Sequence, residues 1–140
     1  MHLRRAESAD LEAIVAIDPV SHAEPSRRVF LERMVRSGEC WLAEEAGTVL
    51  GFAVLDDSFY GNGFVPLLVV RPGFRRRGIG RALLECLVSV CNTSKIFSST
   101  NESNTAMRAL LTRAGFEASG VIYNLEPGDP ELVFFRRLHP

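Results

Sequence analysis

The chain has 140 residues, 46% hydrophobic and 24% charged, with 16 Lys and Arg against 17 Asp and Glu for a formal net charge of −1. That make-up suits one globular domain over residues 1–140, able to bury roughly 70% of its unfolded surface without metal or disulfide staples; it leaves no room for a second domain and no global field to draw the molecule onto nucleic acid or an anionic membrane. The longest apolar stretch, Phe64 to Val70, is far below the roughly 20 residues that span a bilayer, and Met1-His2-Leu3-Arg4-Arg5 lacks a signal-peptide core, so a cytoplasmic chain is expected.

The pattern alternates short β-rich runs with amphipathic stretches, which predicts a mixed α/β domain. His2 to Ala6 reads as a strand, followed by a helix from an N-cap at Ser8 to about Asp18, with Leu11, Ile14 and Val15 on one face and Pro19 as its stop. A second helix starts at Pro25, turns Val29, Phe30 and Met34 inward and ends near Ser37-Gly38. Cys40 to Glu44 and Thr48 to Leu55, joined by Glu45-Ala46-Gly47, read as antiparallel neighbours, and Tyr60 to Gly63 makes the next turn. Phe64 to Val70 reads as a central strand disturbed at Pro66, whose missing N–H forces a bulge or a lost ladder bond. A helix from Gly78 to about Cys91 buries Ile79, Ala82, Leu83, Leu87 and Val90. Lys95 to Ser99 is a strand, Asn104 to Ala114 a helix, and Glu117 to Leu125 and Leu132 to Arg137 the last two strands, joined by the acidic, doubly proline-bound loop Glu126 to Glu131.

The most informative segment runs from Val69 to Leu84, where a strand enters the turn Arg71-Pro72-Gly73-Phe74-Arg75-Arg76-Arg77-Gly78 and leaves it as a helix. The first N–H groups of a helix lack internal partners and the helix dipole adds positive charge there, so phosphate binds naturally. Gly78 and Gly80 remove side chains that would hold a ligand's oxygens away, and Arg75, Arg76, Arg77 and Arg81 add cations. A Rossmann fingerprint would need glycine where Leu83 stands, and a Walker loop would need Gly-Lys-Ser/Thr where Gly80-Arg81-Ala82 stands. The same residues also suit a plain glycine turn beside a solvated arginine run.

Arg75-Arg76-Arg77-Gly78-Ile79-Gly80 resembles the Gln/Arg-x-x-Gly-x-Gly/Ala pyrophosphate signature of the GCN5-related N-acetyltransferase (GNAT) superfamily. Leu67 to Pro72 is similar to that family's central strand, and Asn104-Thr105-Ala106, with Leu110 and Gly115-Phe116, to its second conserved block, so the resemblance covers nearly the whole chain. It implies one mixed, mostly antiparallel sheet of six to seven strands with about four helices and a splayed central strand pair. It further implies that an amine, on a small molecule or a protein, attacks the thioester of acetyl-CoA directly. The N–H groups of Arg76, Arg77, Gly78, Ile79, Gly80 and Arg81 would then hold the pyrophosphate, and the main chain of Leu68, Val69 and Val70 the pantetheine arm and acetyl carbonyl. The bulge near Pro66 would open the slot for that arm. Asn104 matches an asparagine that touches the cofactor in the family, and it equally suits a helix N-cap.

Two departures stand out. The family's tyrosine before Gly-Phe, the proton donor to the leaving thiolate, is Leu111 here, and no carboxylate lies between Gly61 and Val70 to serve as general base. Tyr123, Ser103 and Asn101 are candidate donors through water, with Tyr123 alternatively a packed strand residue; Glu102, Asp56 and Asp57 are candidate bases or solvated acids. Glu126, Asp129 and Glu131 could attract a cationic amine or merely form a solvated turn, and Ser98 to Asn104 could line the transfer point or cap a helix. His2, His22 and His139 and the odd set Cys40, Cys86 and Cys91 lack ligand spacing, so no metal is expected and the thiols read as small apolar residues of a reducing compartment. The missing acid and base keep a noncatalytic acyl-CoA-binding or regulatory module open as the alternative, and the oligomeric state, a homodimer included, is equally open.

Overall fold

The computed structural model describes residues 1–138. His139 therefore lies outside the described residues. Among the described residues seven strands form one sheet in the order β1-β2-β3-β4-β5-β7-β6, accompanied by four α-helices. The chain groups into two compact units, Met1–Leu55 with Leu67–Leu87 and Asp56–Pro66 with Val88 onward.

The first unit opens with β1 (His2–Arg5), antiparallel to β2 (Cys40–Glu45), which pairs in turn with β3 (Thr48–Phe59). The helix expected from Ser8 begins as a 3-10 turn, Ser8–Asp10, whose cap is Glu7 rather than Ser8: the Glu7 N–H donates to the Asp10 carboxylate at 2.7 Å. Helix α1 (Leu11–Ile17) follows. Helix α2 (Pro25–Arg36) begins at the expected proline but buries Leu31, Met34 and Val35, an i, i+3, i+4 stripe; Val29, expected inward, is 67% exposed. These side chains meet Ile14, Ile17, Leu42, Phe52 and Val54 in the unit's core. Asp18 is buried after α1 and accepts the Ser21 hydroxyl at 2.6 Å, with the Arg27 guanidinium 3.7 Å away, so the turn into α2 is anchored by a charge that has partners.

Strand β4 (Asn62–Val70) starts earlier than expected, and its final residues lead into the turn before α3 (Ile79–Val90). Ile79, Leu83, Leu84 and Leu87 are the buried face of α3, whereas Val90, expected inward, is 40% exposed.

The second unit contains β5 (Lys95–Asn101), α4 (Thr105–Arg113), β6 (Glu117–Ile122) and β7 (Glu131–Arg137). The parallel ladder between β4 and β5 covers Gly63↔Ile96, Phe64↔Phe97 and Val65↔Ser98 and ends where Pro66 has no N–H to give. At its last rung the buried Ser98 hydroxyl donates to the Val65 carbonyl at 2.9 Å. Strand β7 lies antiparallel between β5 and β6. On one face of these strands Phe59, Phe64, Phe97 and Phe135 stand in a row, with ring centroids 4.9 to 5.8 Å apart. The opposite face carries α4: Arg136, paired with Ile96, donates to the Ala114 carbonyl at the end of that helix at 3.0 Å.

Candidate active site

The glycine-containing turn lies wholly in the first unit. Arg71 fixes its start, because its N–H donates to the Leu50 carbonyl and its Nε to the Val49 carbonyl, both at 2.7 Å. These contacts fall where β3 bulges: Gly51 pairs with Ala43 but Val49 with Glu44, leaving Leu50 as the extra residue. The Phe74 N–H then closes a turn on the Arg71 carbonyl at 3.1 Å. Gly73, Arg76 and Gly78 have φ of 89, 65 and 78°, a run of left-handed residues that lets the chain double back before α3.

The first helical bond of α3 runs from the Ala82 N–H to the Gly78 carbonyl at 3.0 Å. The N–H groups of Ile79, Gly80 and Arg81 precede it and have no acceptor within the helix itself. A Cβ built on Gly78 would meet no heavy atom within 4 Å, so the space beside those amides is open. Arg75, Arg76, Arg77 and Arg81 are all exposed. Arg77 stacks over the Phe74 ring at 5.1 Å and sits 3.8 Å from Glu45, and Arg81 sits 3.8 Å from Glu85; both ion pairs are too long for hydrogen bonds. Among the described residues Arg75 and Arg76 have no ion-pair partner. Open amides, a helix N-terminus and loosely held guanidiniums are together the chemistry that can receive an anion such as a diphosphate. Leu68, Val69 and Val70, the other residues expected to hold cofactor, are half-buried at the end of β4 leading into this turn.

Two residues that support the turn are absent from the sequence-derived set. One is Arg71, just described. The other is Gly51, where a Cβ would stand 2.8 Å from the Val69 carbonyl oxygen, 3.2 Å from Leu83 Cδ1 and 3.3 Å from Ile79 Cγ2. A glycine inside an apolar strand is the signal that could have revealed it, because such glycines mark close approach of another backbone.

Asn104, Ser103, Glu102 and Tyr123 belong to the second unit. Asn104 is the N-cap of α4, its Oδ1 accepting the Met107 N–H at 3.1 Å. Ser103 donates its hydroxyl to Asp129 Oδ2 at 2.5 Å and its N–H to Oδ1 at 3.1 Å, and Asn101 Nδ2 donates to Glu126 Oε2 at 2.9 Å. The Glu102 N–H donates to the Pro130 carbonyl at 2.8 Å, and its carbonyl accepts from Arg108 at 2.9 Å. The acidic loop between β6 and β7 is thus strapped to the turn before α4, and two of its three carboxylates are engaged there. Tyr123 follows the last residue of β6 and is 70% exposed, so it is not a packed strand residue. Leu111, at the family's tyrosine position, is fully buried.

Among the described residues no three His, Cys, Asp or Glu side chains are placed to hold a metal ion, and no helix is long and apolar enough to cross a membrane. Burial pushes the Cys40 thiol up to about 12, in keeping with an inert core residue.

A family model described as the acetyltransferase (GNAT) family matches residues 6–116. No curated protein matches the sequence. A crystal structure of a GNAT-family acetyltransferase from Bacillus cereus ATCC 10987 is 38% identical, with a TM-score of 0.91 over 97% of this chain and 96% of that one. The ribosomal-protein-S18-alanine N-acetyltransferase of Escherichia coli shares the fold at 24% identity, with a TM-score of 0.81 over 99% of this chain and 94% of that one. So does yncA of Salmonella typhimurium, solved with its cofactor acetyl-CoA, at 24% identity and a TM-score of 0.80 over 100% of this chain and 95% of that one. The match of the family model across both units, together with a seven-stranded sheet and four helices that superpose on a 38% identical relative of that family, establishes that the chain belongs to the acetyltransferase (GNAT) family.

Proposed function

We propose that the chain, as one domain over residues 1–140, is an acetyl-CoA-dependent N-acetyltransferase that transfers acetyl directly to a primary amine on a small molecule or a protein. The observation that carries this reading is the turn before α3, where the N–H groups of Ile79, Gly80 and Arg81 precede the first helical bond and open space lies beside Gly78. The N–H groups from Arg76 to Arg81 hold the pyrophosphate, with Arg75, Arg76, Arg77 and Arg81 as counter-charges. Acetyl-CoA, when bound, supplies the activated acetyl group as a thioester. Leu68, Val69 and Val70 orient the pantetheine arm and acetyl carbonyl through their main chain, and Asn104 contributes from its N-cap position.

The departing thiolate needs little help. A thiol of pKa about 8.5 leaves tolerably near neutrality, so a buried Leu111 in place of the family's tyrosine is compatible with turnover. The Ser103 hydroxyl donates its hydrogen bond to Asp129, which disfavours it as the proton donor; Tyr123, exposed to solvent, would act only through water. The amine, with a pKa near 10.4, must lose a proton first, and Glu102, Asp56 and Asp57 are the carboxylates offered for that step through solvent.

The test is release of free CoA thiol from acetyl-CoA across a panel of polyamines, aminoglycosides, amino acids and peptides. Turnover with at least one amine, with the acetyl group recovered on nitrogen, is expected. Tight acetyl-CoA binding with no turnover on any amine would replace this reading with that of a noncatalytic acyl-CoA-binding module.

A further inference from the structure

The sheet has two edges, and they are built differently. Edge strand β1 is four residues long, and three of them, His2, Arg4 and Arg5, are polar or charged. Short length and charge are the ordinary guards of an exposed edge against pairing with another chain. Edge strand β6, Glu-Ala-Ser-Gly-Val-Ile, carries one charge, Glu117, at its far end, and every one of its residues is exposed. Its inner side pairs with β7, and among the described residues no strand pairs with its outer side.

The exposed apolar side chains concentrate at the same place. Val121, Ile122, Tyr123 and Leu125 are 44, 38, 70 and 66% exposed along five consecutive positions. At roughly 200 Å² for a fully exposed side chain of this size, they leave about 400 Å² uncovered, about half the ~800 Å² per partner that a stable dimer buries, before the main chain is counted. The bulge at Ser119, between Ala118 and Gly120, confines the regular part of the outer edge to Gly120 and beyond.

We infer that this outer edge docks a second copy of the chain, the two β6 strands pairing antiparallel about a twofold axis at Val121. A row of unpaired N–H and C=O groups is completed by another strand, and an identical strand run in the opposite direction fits the charge pattern. Val121 then faces its twin and Ile122 faces Gly120 across the regular stretch of the edge, Gly120 to Ile122. Glu117, at the N-terminal end of β6, lies away from the axis, so the two Glu117 carboxylates stand at opposite ends of the joined strands. The contact extends the seven-stranded sheet to fourteen strands across the pair. This inference does not depend on the acetyl-transfer reading.

Sedimentation of the full chain from about 5 to about 200 µM is expected to show a mass approaching twice 15.5 kDa. Val121→Lys and Val121→Glu each place like charges face to face at the axis and are expected to sediment as monomers with an unchanged circular dichroism spectrum. Mixed in equal amounts, the two variants are expected to recover the dimer. A wild-type chain monomeric throughout that range, a dimer that survives either substitution, or a mixture that stays monomeric would overturn the proposal. Hydrogen exchange on the unmodified chain tests it without any variant: amides of residues 120–122 are expected to exchange at least about 5-fold more slowly at the high concentration than at the low one, and equal rates would overturn it.

Discussion

Replacing Gly51 by alanine places a methyl carbon 2.8 Å from the Val69 carbonyl oxygen, with Leu83 Cδ1 and Ile79 Cγ2 at 3.2 and 3.3 Å. Two of these neighbours are core side chains of α3 and the third is main chain of β4, so relief requires β4 or the whole helix to shift. Overpacking of this kind costs about 1–3 kcal/mol. Gly51 does not have a positive φ, so in open space the same substitution would stabilise by about 0.5–1 kcal/mol through loss of unfolded-state freedom; the sign of the effect therefore reports the contact itself. With about 3–4 °C per kcal/mol for a domain of this size, the thermal midpoint should fall by about 3–12 °C. Because the displaced atoms support the start of α3, affinity for acetyl-CoA should fall by about 3–10-fold in the same variant. Differential scanning calorimetry with parallel titration of acetyl-CoA measures both. A midpoint that stays level or rises would refute the close packing of Gly51 against Val69.

Gly78→Val puts a branched side chain at φ 78° into the space beside the open amides and should abolish measurable acetyl-CoA binding, while circular dichroism stays native; unchanged affinity would remove this turn from the cofactor site. Tyr123→Phe should leave kcat/KM within about 3-fold, and a loss of about 100-fold or more would make the phenol the proton donor. Arg4 binds Asp10 at 2.8 and 2.9 Å and Glu44 at 2.9 and 3.1 Å, and these hydrogen bonds hold both carboxyls below their ordinary range. Depressed carboxylates contribute stability that is present above about pH 4 and lost as pH falls through their folded values, so Arg4→Met should flatten the acid limb of a stability-versus-pH curve. An acid limb identical to the wild type would show that the Arg4 cluster contributes nothing there.

What the sequence disclosed was set by how local the cause is. The turn from Arg71 to Gly78 was legible because glycine spacing and a helix start act within ten residues. Arg76 in the left-handed region was not, since an arginine carries no mark of that backbone. Val29 was expected inside with Phe30 and Met34, but the burial of Leu31, Met34 and Val35 is set by packing against Ile14 and Phe52, which lie on other elements. Strand β3 runs past Leu55 through Asp56, Asp57 and Ser58 to Phe59, whose ring stacks on Phe64 and packs at a tilt against Phe97; no local pattern announces a polar stretch continued by such a contact. Tyr123 falls outside β6 because its partner strand begins at Glu131, which already pairs with Ile122. The strap between Ser103 and Asp129 joins residues 26 apart in sequence and could be seen only once folded.

The central claim is that the amides from Arg76 to Arg81 bind the diphosphate of coenzyme A. Titrating CoA into the 15N-labelled protein and following each amide resonance tests it most directly. The account predicts that the largest shifts fall on Gly78, Ile79, Gly80 and Arg81, and that pantetheine, which lacks the diphosphate, leaves those four nearly still. Shifts of equal size with pantetheine, or CoA shifts confined to residues outside the turn, would contradict it.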